Sequence, residues 1–315
     1  MKSILSVTDL DSADFVIKWR MTDMCNANCS YCIRKGHREK IDRGLIKKQE
    51  ERLSEVADEI SRMLSGASFS NVKIDLIGGE VSVLNLEKIL GNLHFEKVKR
   101  INITTNLLRD CGYYESLCGF LHDMGTKISA TASFHSEAQT FDDYFKKIEK
   151  LKNAFDSLTL EIVSTENNQN LCRKFIRKCR KIKADYMVEA DLRFKKNGVC
   201  NSPIITDCSK KQKKARYKVV FTDGTERFYK SRNQLLIDTD NAENRCQKAL
   251  HTNGFFCTHS FSYVCIDFDT AIGRTEKSGK CSNRMSVEKF KIIRPAKCEE
   301  QNCTLCGHMS IWREK

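Results

Sequence analysis

Short apolar runs alternate with amphipathic segments between residues 14 and 195, and this alternation is the strongest pattern in the chain. Runs rich in β-branched and aromatic residues, bounded by polar residues or glycine, predict β-strands. The pattern predicts six strands, over residues 15–19, 72–77, 101–106, 128–134, 158–164 and 186–194.

Helical periodicity fills the segments between these strands. Apolar residues recur every three or four positions, as at Leu53, Val56, Ile60 and Leu64, and this spacing predicts helices with one buried face. The predicted helices span residues 47–64, 86–93, 113–124, 141–154 and 170–183. Strands that alternate with helices favour parallel βαβ units with functional groups on the loops after the strands. Six units are too few for a complete barrel, so the predicted fold is α/β, a partial (β/α)6 barrel of the TIM type.

The pattern changes near residue 196 and predicts two further parts. Residues 196–245 read as a basic linker with a β-hairpin over 217–229 that turns at Asp223 and Gly224. Seven cysteines then fall between residues 246 and 306 with little periodicity. A segment of this kind is commonly held together by metal. We therefore expect a barrel over 1–195 and a small cysteine-rich metal-binding domain over 246–315.

Composition narrows the class of protein. The chain has 315 residues, 16 of them cysteine, and carries a net charge of +13. No apolar run reaches the length of a membrane span and the first residues do not resemble a secretory signal, so we expect a cytoplasmic protein without membrane contact. In a reducing compartment the clustered cysteines indicate metal ligands rather than disulfides. The basic charge fits an anionic partner or a lysine-rich solvated surface.

The loop after the first predicted strand carries three cysteines in the pattern CxxxCxxC, at Cys25, Cys29 and Cys32. Three thiolates can ligate three irons of a 4Fe–4S cubane and leave the fourth iron open. A structural zinc site with a fourth ligand from elsewhere is the alternative, since such sites use four protein ligands.

This spacing, with Tyr31 directly before the last cysteine, resembles the radical S-adenosylmethionine enzymes. The resemblance implies that Cys25, Cys29 and Cys32 hold a catalytic 4Fe–4S cluster whose open iron binds S-adenosylmethionine. It also implies reductive cleavage of that cofactor to a 5′-deoxyadenosyl radical, which abstracts hydrogen from a substrate C–H bond. The implied electron source is a low-potential donor such as flavodoxin or ferredoxin.

Gly78, Gly79 and Glu80 end the second predicted strand and resemble the family's glycine-glycine-glutamate motif. Glycines let a backbone approach a ligand closely, and the glutamate can accept a hydrogen bond from the cofactor's ammonium. Val81 stands where the family frequently has proline. These three residues are predicted to bind the cofactor.

Two further strand ends carry polar residues at positions that relatives use for the cofactor. Asn106 ends the third strand in a partial match to a Thr-Asn-Gly element, with Leu107 in place of the glycine. Ser133 ends the fourth strand, where relatives often contact the ribose. Both are predicted cofactor-binding residues, with ordinary loop hydrogen bonding as the alternative.

Four cysteines are predicted to be structural. Cys111 and Cys118 are seven residues apart, as are Cys172 and Cys179, so each pair lies on one face of a predicted helix. Buried thiols on such a face behave as small hydrophobic groups.

The C-terminal cysteines resemble the SPASM and twitch extensions of radical enzymes, which bind auxiliary clusters. The resemblance implies a second 4Fe–4S cluster ligated by Cys257, Cys281, Cys303 and Cys306, with Cys298 as the substitute ligand. A four-cysteine zinc knuckle is the alternative, because Cys303-x-x-Cys306 suits zinc equally well.

The substrate is predicted only by class. SPASM-like relatives often modify peptides or proteins, so we expect an anionic peptide ahead of a nucleotide, a nucleic acid base or a phosphorylated small molecule. Only 24 residues precede Cys25, so no fused leader-recognition domain is expected. A different class of function is a non-catalytic zinc or iron–sulfur protein that binds nucleic acid. The motif at Gly78–Glu80 argues against that class, since a plain binding module has no use for a cofactor site.

Overall fold

The computed structural model describes the predicted barrel almost completely and the C-terminal third in short pieces. The described residues are 4–9, 15–32, 41–67, 70–190, 207–209, 217–221, 223–229, 256–257, 263–266, 271–272, 285–286, 296–297 and 311–312.

Six strands and five helices alternate through the barrel, close to the predicted bounds. The strands are β2 (Phe15–Thr22), β3 (Val72–Gly78), β4 (Val98–Thr105), β5 (Lys127–Phe134), β6 (Ser157–Ser164) and β7 (Asp185–Ala190). The helices are α1 (Arg43–Ser65), α2 (Leu86–Leu90), α3 (Cys111–Asp123), α4 (Phe141–Leu151) and α5 (Gln169–Lys181). β2 runs three residues further than the hydrophobic pattern predicted, and β7 stops at Ala190 with residues 191–194 outside the described part.

Strands β2 to β7 pair in chain order and every pair is parallel. Parallel neighbours require crossover connections, which the helices supply. One face of the sheet packs against these helices through a continuous apolar core. The predicted α/β partial barrel is therefore confirmed. The opposite face of β2–β7, which points away from the helices, is called the inner face below.

The core explains why these segments fold as they do. Phe15, Ile17, Trp19 and Met21 alternate along β2 and are completely buried against the helices. Cys118, Cys172 and Cys179 are buried within the same core, and Cys111 packs against it, as their helical spacing predicted. Helix α1 begins at Asp42, whose carboxylate accepts a hydrogen bond from the Leu45 N–H, a stabilising N-cap.

Short strands from outside residues 15–190 extend the fold. The predicted hairpin forms from β9 (Tyr217–Phe221) and β10 (Glu226–Tyr229), with Tyr217 opposite Tyr229. It gains a third strand that the sequence did not indicate, β1 (Ile4–Asp9), which pairs antiparallel with β9. β8 (Asp207–Cys208) pairs antiparallel with β7.

The C-terminal part contributes a strand to the main sheet. β12 (Tyr263–Ile266) pairs parallel with β2, in register from Val16 to Trp19, on the edge away from β3. It continues antiparallel into β13 (Ala271–Ile272) and β14 (Met285–Ser286). A separate small sheet contains β11 (Phe256–Cys257), β15 (Ala296–Lys297) and β16 (Ile311–Trp312). The sequence assigned residues 263–266 to the C-terminal domain over 246–315, and in the structure they pair with the edge strand β2 of the barrel.

None of the helices in the described ranges combines the length and the apolar character needed to cross a lipid bilayer.

Candidate active site

The three cysteines lie in the loop directly after β2, at the carboxyl end of the sheet. Cys29 is 5% exposed, and Cys25 and Cys32 are partly exposed. A small apolar group surrounds the three thiols, formed by Ala27, Tyr31, Leu108, Ala138 and Val163. The loop is tightly folded, since the Cys32 N–H donates to the Cys29 carbonyl at 3.2 Å. The site therefore offers three neighbouring thiols in a sheltered, mostly apolar setting.

The donor set fits an iron–sulfur cluster. Burial raises the pKa of the Cys29 thiol to about 11, the Tyr31 hydroxyl opposes the rise, and the Cys25 and Cys32 thiols add to it. Thiols bind metals as thiolates. A bound cationic cluster would supply the positive charge that stabilises these thiolates, which the neighbouring Tyr31, Cys25 and Cys32 do not supply. In a cubane each cysteine ligates a different iron, whereas one zinc ion gathers all its ligands around a single point. Within the described part, no three His, Cys, Asp or Glu side chains are placed to hold one metal ion.

Gly78 and Gly79 bring the end of β3 against the backbone that leads into the cysteine loop. The Gly79 N–H donates to the Thr22 carbonyl at 2.7 Å and the Glu80 N–H donates to the Met24 carbonyl at 2.8 Å. A Cβ atom on Gly78 would lie 2.4 Å from the Thr22 carbonyl oxygen, and one on Gly79 would lie 2.3 Å from that of Met24. Both positions require glycine because the approaching atoms belong to the backbone.

Glu80 is 1% exposed and its carboxylate joins the ends of β3 and β4. Oε1 accepts hydrogen bonds from the Ser82 N–H at 3.0 Å and the Thr105 hydroxyl at 2.8 Å, and Oε2 accepts from the Asn106 N–H at 2.7 Å. Burial raises the pKa of Glu80, and these hydrogen bonds oppose the rise. The carboxylate is thus anchored by three donors at the strand ends.

Asn106 connects β4 to the cysteine loop. Its side-chain amide donates to Asn26 Oδ1 at 2.8 Å and lies 4.0 Å from the Cys25 sulfur. Leu107, at the position of the family's glycine, has a φ of +54°, a left-handed conformation that costs a leucine about 1–2 kcal/mol. Its side chain is fully buried, and this burial offsets the strain. The turn thus keeps a backbone conformation that suits glycine, with leucine in its place.

Ser133 is hydrogen-bonded to a partly buried acid that the sequence did not single out. Its hydroxyl donates to Glu161 Oε2 at 3.1 Å across β5 and β6. Burial, followed by the neighbouring charge of Glu189, raises the pKa of Glu161 to about 7, and the Ser133 hydroxyl opposes the rise. The predicted ribose contact therefore sits beside a carboxyl group at the same end of the sheet.

The loop after β5 holds the cysteine loop from the other side. Glu137 accepts from the Ser30 N–H and from the Ser30 hydroxyl, both at 2.5 Å. The Tyr31 hydroxyl and His135 Nδ1 are 2.9 Å apart, and the two rings stack with centroids 5.9 Å apart. The residues between Cys29 and Cys32 are therefore fixed to a neighbouring strand end.

Sequence reasoning missed several of these positioning residues. Gln49 accepts from the Thr22 hydroxyl and donates to the Met21 carbonyl, which anchors the start of the cysteine loop to α1. A polar residue on the apolar stripe of that helix was a usable signal. Asn26, Glu137 and Glu161 gave none, because nothing local distinguishes them from solvated polar residues.

The structure brings Cys25, Glu80 and Asn106 together with the other predicted barrel residues, at one end of the sheet. The predicted ligands of the auxiliary site cannot be placed in the same way. Cys281, Cys298, Cys303 and Cys306 lie outside the described residues, and only the backbone of Cys257 is described, in β11. The auxiliary metal site remains a prediction.

Two curated proteins are similar in sequence to parts of this chain. A curated S-adenosylmethionine-dependent nucleotide dehydratase from Fibrobacter sp. (strain UWH6) is 20% identical over 183 residues, 54% of this chain and 53% of the relative. A second protein with the same description, from Psychrobacter lutiphocae, is 32% identical over 82 residues, 24% of this chain and 26% of the relative. The matched segments thus cover about half or less of the length of these two curated relatives. No family model matches it.

A solved structure shares the fold. The structure of native anSMEcpe with bound AdoMet and Kp18Cys peptide superimposes with a TM-score of 0.50 at 13% identity, over 87% of this chain and 78% of that one. At this identity the similarity concerns the fold alone. The fold, the three-thiol loop and the glycine-glutamate strand end thus agree with the resemblance of the sequence to the radical S-adenosylmethionine enzymes.

Proposed function

We propose that this protein cleaves S-adenosylmethionine reductively at a 4Fe–4S cluster held by Cys25, Cys29 and Cys32. When bound, the cluster and the cofactor would supply a 5′-deoxyadenosyl radical that abstracts hydrogen from a substrate C–H bond. The chain itself would hold the cluster, orient the cofactor and exclude water from the site.

One observation carries this proposal: the cysteine loop and the ends of β3, β4 and β5 form a single hydrogen-bonded unit. Gly79 and Glu80 bond to the backbone that precedes Cys25, and Asn106 bonds to Asn26 within the loop. A plain metal-binding loop needs no such convergence of strand ends. Parallel α/β folds bind ligands at this end of the sheet.

The cofactor would lie where these strand ends meet. Gly78, Gly79, Glu80, Asn106 and Ser133 remain the proposed cofactor-binding residues. Glu80 has a further role in this proposal, since its buried carboxylate holds the β3 loop against Thr105 and Asn106. Its loss would displace the loop as well as remove an acceptor for the cofactor's ammonium.

The test is iron content and cofactor cleavage in anaerobically reconstituted protein. We expect about eight irons per chain, from two cubanes, and formation of 5′-deoxyadenosine with a strong reductant. Replacing Cys25, Cys29 and Cys32 together with alanine should remove half the iron and all cleavage. Stoichiometric zinc without acid-labile sulfide would refute the proposal.

A second experiment concerns the auxiliary site, which we propose is an iron–sulfur cluster ligated by C-terminal cysteines. Cys303→Ala with Cys306→Ala should lose about half the iron and keep S-adenosylmethionine cleavage, because the open iron belongs to the other cluster. A zinc knuckle would instead release zinc and leave the iron unchanged. Retention of all metal would show that these two thiols are not ligands.

Two substrate classes are candidates, with flavodoxin or ferredoxin as the proposed electron donor. A peptide is supported by anSMEcpe, the solved structure with the shared fold, which contains a bound peptide. A nucleotide is supported by the two curated relatives, which are described as nucleotide dehydratases. The chemistry of the inner face favours the nucleotide.

A further inference from the structure

The inner face of the sheet is polar along most of its length. The interior of a TIM-type barrel is ordinarily packed with branched aliphatic side chains. Here one level of the inner face carries only polar residues, in register across β2 to β6. These residues are Lys18, Asp75, Asn102, Ser129 and Ser157. This interior is therefore suited to a polar ligand rather than to a packed core.

The next level towards the active site is a row of three threonines. Thr104, Thr131 and Thr159 lie in register on β4, β5 and β6, followed by Asp185 on β7. Neighbouring strands are about 4.8 Å apart, so the row spans about 10 Å. All three residues are partly exposed. Among the described residues, none of the three hydroxyls has a hydrogen-bond partner, which leaves donors and acceptors for a ligand.

Charge divides the inner face into two sides. The first three strands carry Lys18, Arg20, Lys73 and Arg100, whereas the last two carry Glu161, Asp185 and Glu189. Lys73 is paired with Asp75 at 3.0 Å and Arg20 with Asp23. Lys18 has no carboxylate partner in the described part of the chain. A bound molecule would therefore meet positive charge towards β2 and hydrogen-bond acceptors towards β6 and β7.

We propose that the inner face binds a nucleotide, with its phosphate towards Lys18 and its ribose and base along the threonine row. This inference rests on the proposed function, because it assigns the substrate of the same site. A ribose and a base edge offer hydroxyls, amines and carbonyls that match such an array, and a phosphate matches an ammonium. One common mode of peptide recognition adds the peptide as a strand to an exposed sheet edge. That mode is closed at β3–β6, because these strands are paired on both sides.

The experiment measures binding of the four ribonucleoside monophosphates and triphosphates to reconstituted protein by calorimetry. Saturating S-adenosylmethionine is present throughout, so that an adenine probe cannot occupy the cofactor site. At least one nucleotide should bind. Thr131→Val keeps the side-chain shape and should weaken binding about fivefold, the effect of one lost hydrogen bond, whereas Thr131→Ser should bind as the wild type does.

The position of the phosphate is tested with a charge variant and a matched control. Lys18→Met should weaken the nucleotide at least about tenfold, the effect of a lost charged contact, and leave the corresponding nucleoside nearly unchanged. Lys99→Met, which removes an exposed lysine of β4, should change neither. Circular dichroism confirms that each variant is folded.

The outcomes separate this inference from the proposed function. If the protein forms 5′-deoxyadenosine but binds no nucleotide, or binds it equally well in Thr131→Val and Lys18→Met, the substrate assignment is wrong and the radical chemistry stands. If a nucleotide binds with the expected losses but no cleavage is detected, the binding site stands and the proposed function fails. Preferential binding of an acidic peptide at the same residues would also refute the assignment.

Discussion

Gly79→Ala tests the junction that positions the cysteine loop. The added Cβ atom would lie 2.3 Å from the Met24 carbonyl oxygen, 2.8 Å from the carbonyl carbon of the same residue and 2.9 Å from the Asp23 oxygen. All three atoms belong to the backbone, so no side chain can rotate away. The loop between β2 and Cys25 must therefore move away from β3.

The cost follows from the contacts that this movement breaks. Separating the two segments by about 1 Å to reach ordinary contact disrupts the hydrogen bonds from Gly79 to Thr22 and from Glu80 to Met24, which are 2.7 and 2.8 Å long. Each is worth about 1 kcal/mol, and overpacking adds about 1–3 kcal/mol. We expect the free energy of unfolding to fall by about 3–5 kcal/mol, measured by urea denaturation of the apoprotein.

The matched control is the same substitution at Gly119, in the middle of α3. Apart from the adjacent residues and the backbone of the helix itself, no heavy atom of the described residues lies within 4 Å of a Cβ there, so alanine adds helix propensity without a clash. Gly119→Ala should stabilise the protein by about 0.5–1 kcal/mol, which is the opposite sign. Gly79→Ala should also lose iron from the first cluster after reconstitution, while Gly119→Ala should not. Wild-type stability and iron content in Gly79→Ala would refute the argument.

Three other variants test neighbouring contacts. Thr105→Val keeps the side-chain shape but removes the hydroxyl that donates to the Glu80 carboxylate. The free energy of unfolding should fall by about 2 kcal/mol, because the lost hydrogen bond is to a buried charged group. An unchanged urea midpoint would contradict this. Glu161 has a pKa raised from its usual 4.5 to about 7, so the folded protein holds this proton more tightly than the unfolded chain and loses stability as the pH rises between those values. Glu161→Gln should gain stability relative to the wild type across that range, by up to about 3 kcal/mol, whereas parallel stability curves would show that Glu161 does not titrate in this way. Glu137→Ala removes both acceptors for Ser30. The variant should lose iron to a chelator several-fold faster than the wild type, while its free energy of unfolding changes by less than about 1 kcal/mol. Glu137→Gln should show a smaller effect on iron loss, and equal rates in all three proteins would show that Glu137 does not anchor the loop.

The sequence determined the order and the type of the elements in the barrel. Residues such as Ile74 and Leu76 alternate with polar neighbours because every second side chain of a strand faces the helices. Helical periodicity did the same for Cys172 and Cys179, which are seven residues apart on α5 and lie in the core. Local periodicity is sufficient for these features, since it reflects which face of each element is buried.

The strand ends that carry the site were also visible in the sequence. The CxxxCxxC spacing and the glycine-glycine-glutamate tripeptide each belong to a single loop, so their chemistry can be recognised from adjacent residues. The polar inner face, by contrast, was not evident, because residues such as Thr104, Thr131 and Thr159 are each unremarkable in their own segment. Their significance arises only when the register aligns them.

Tertiary structure alone decided how the loops are held. Gly79 bonds to Thr22 across 57 residues, Glu80 bonds to Asn106, and Ser30 bonds to Glu137 more than a hundred residues away. It also placed the short segment Tyr263–Ile266 beside β2. Contacts of this kind depend on the packing of the whole sheet, and a hydrogen-bonding side chain in a loop gives no local sign of its distant partner. The sequence therefore determined the kinds of chemical groups available at the site, and the fold determined which of them act together.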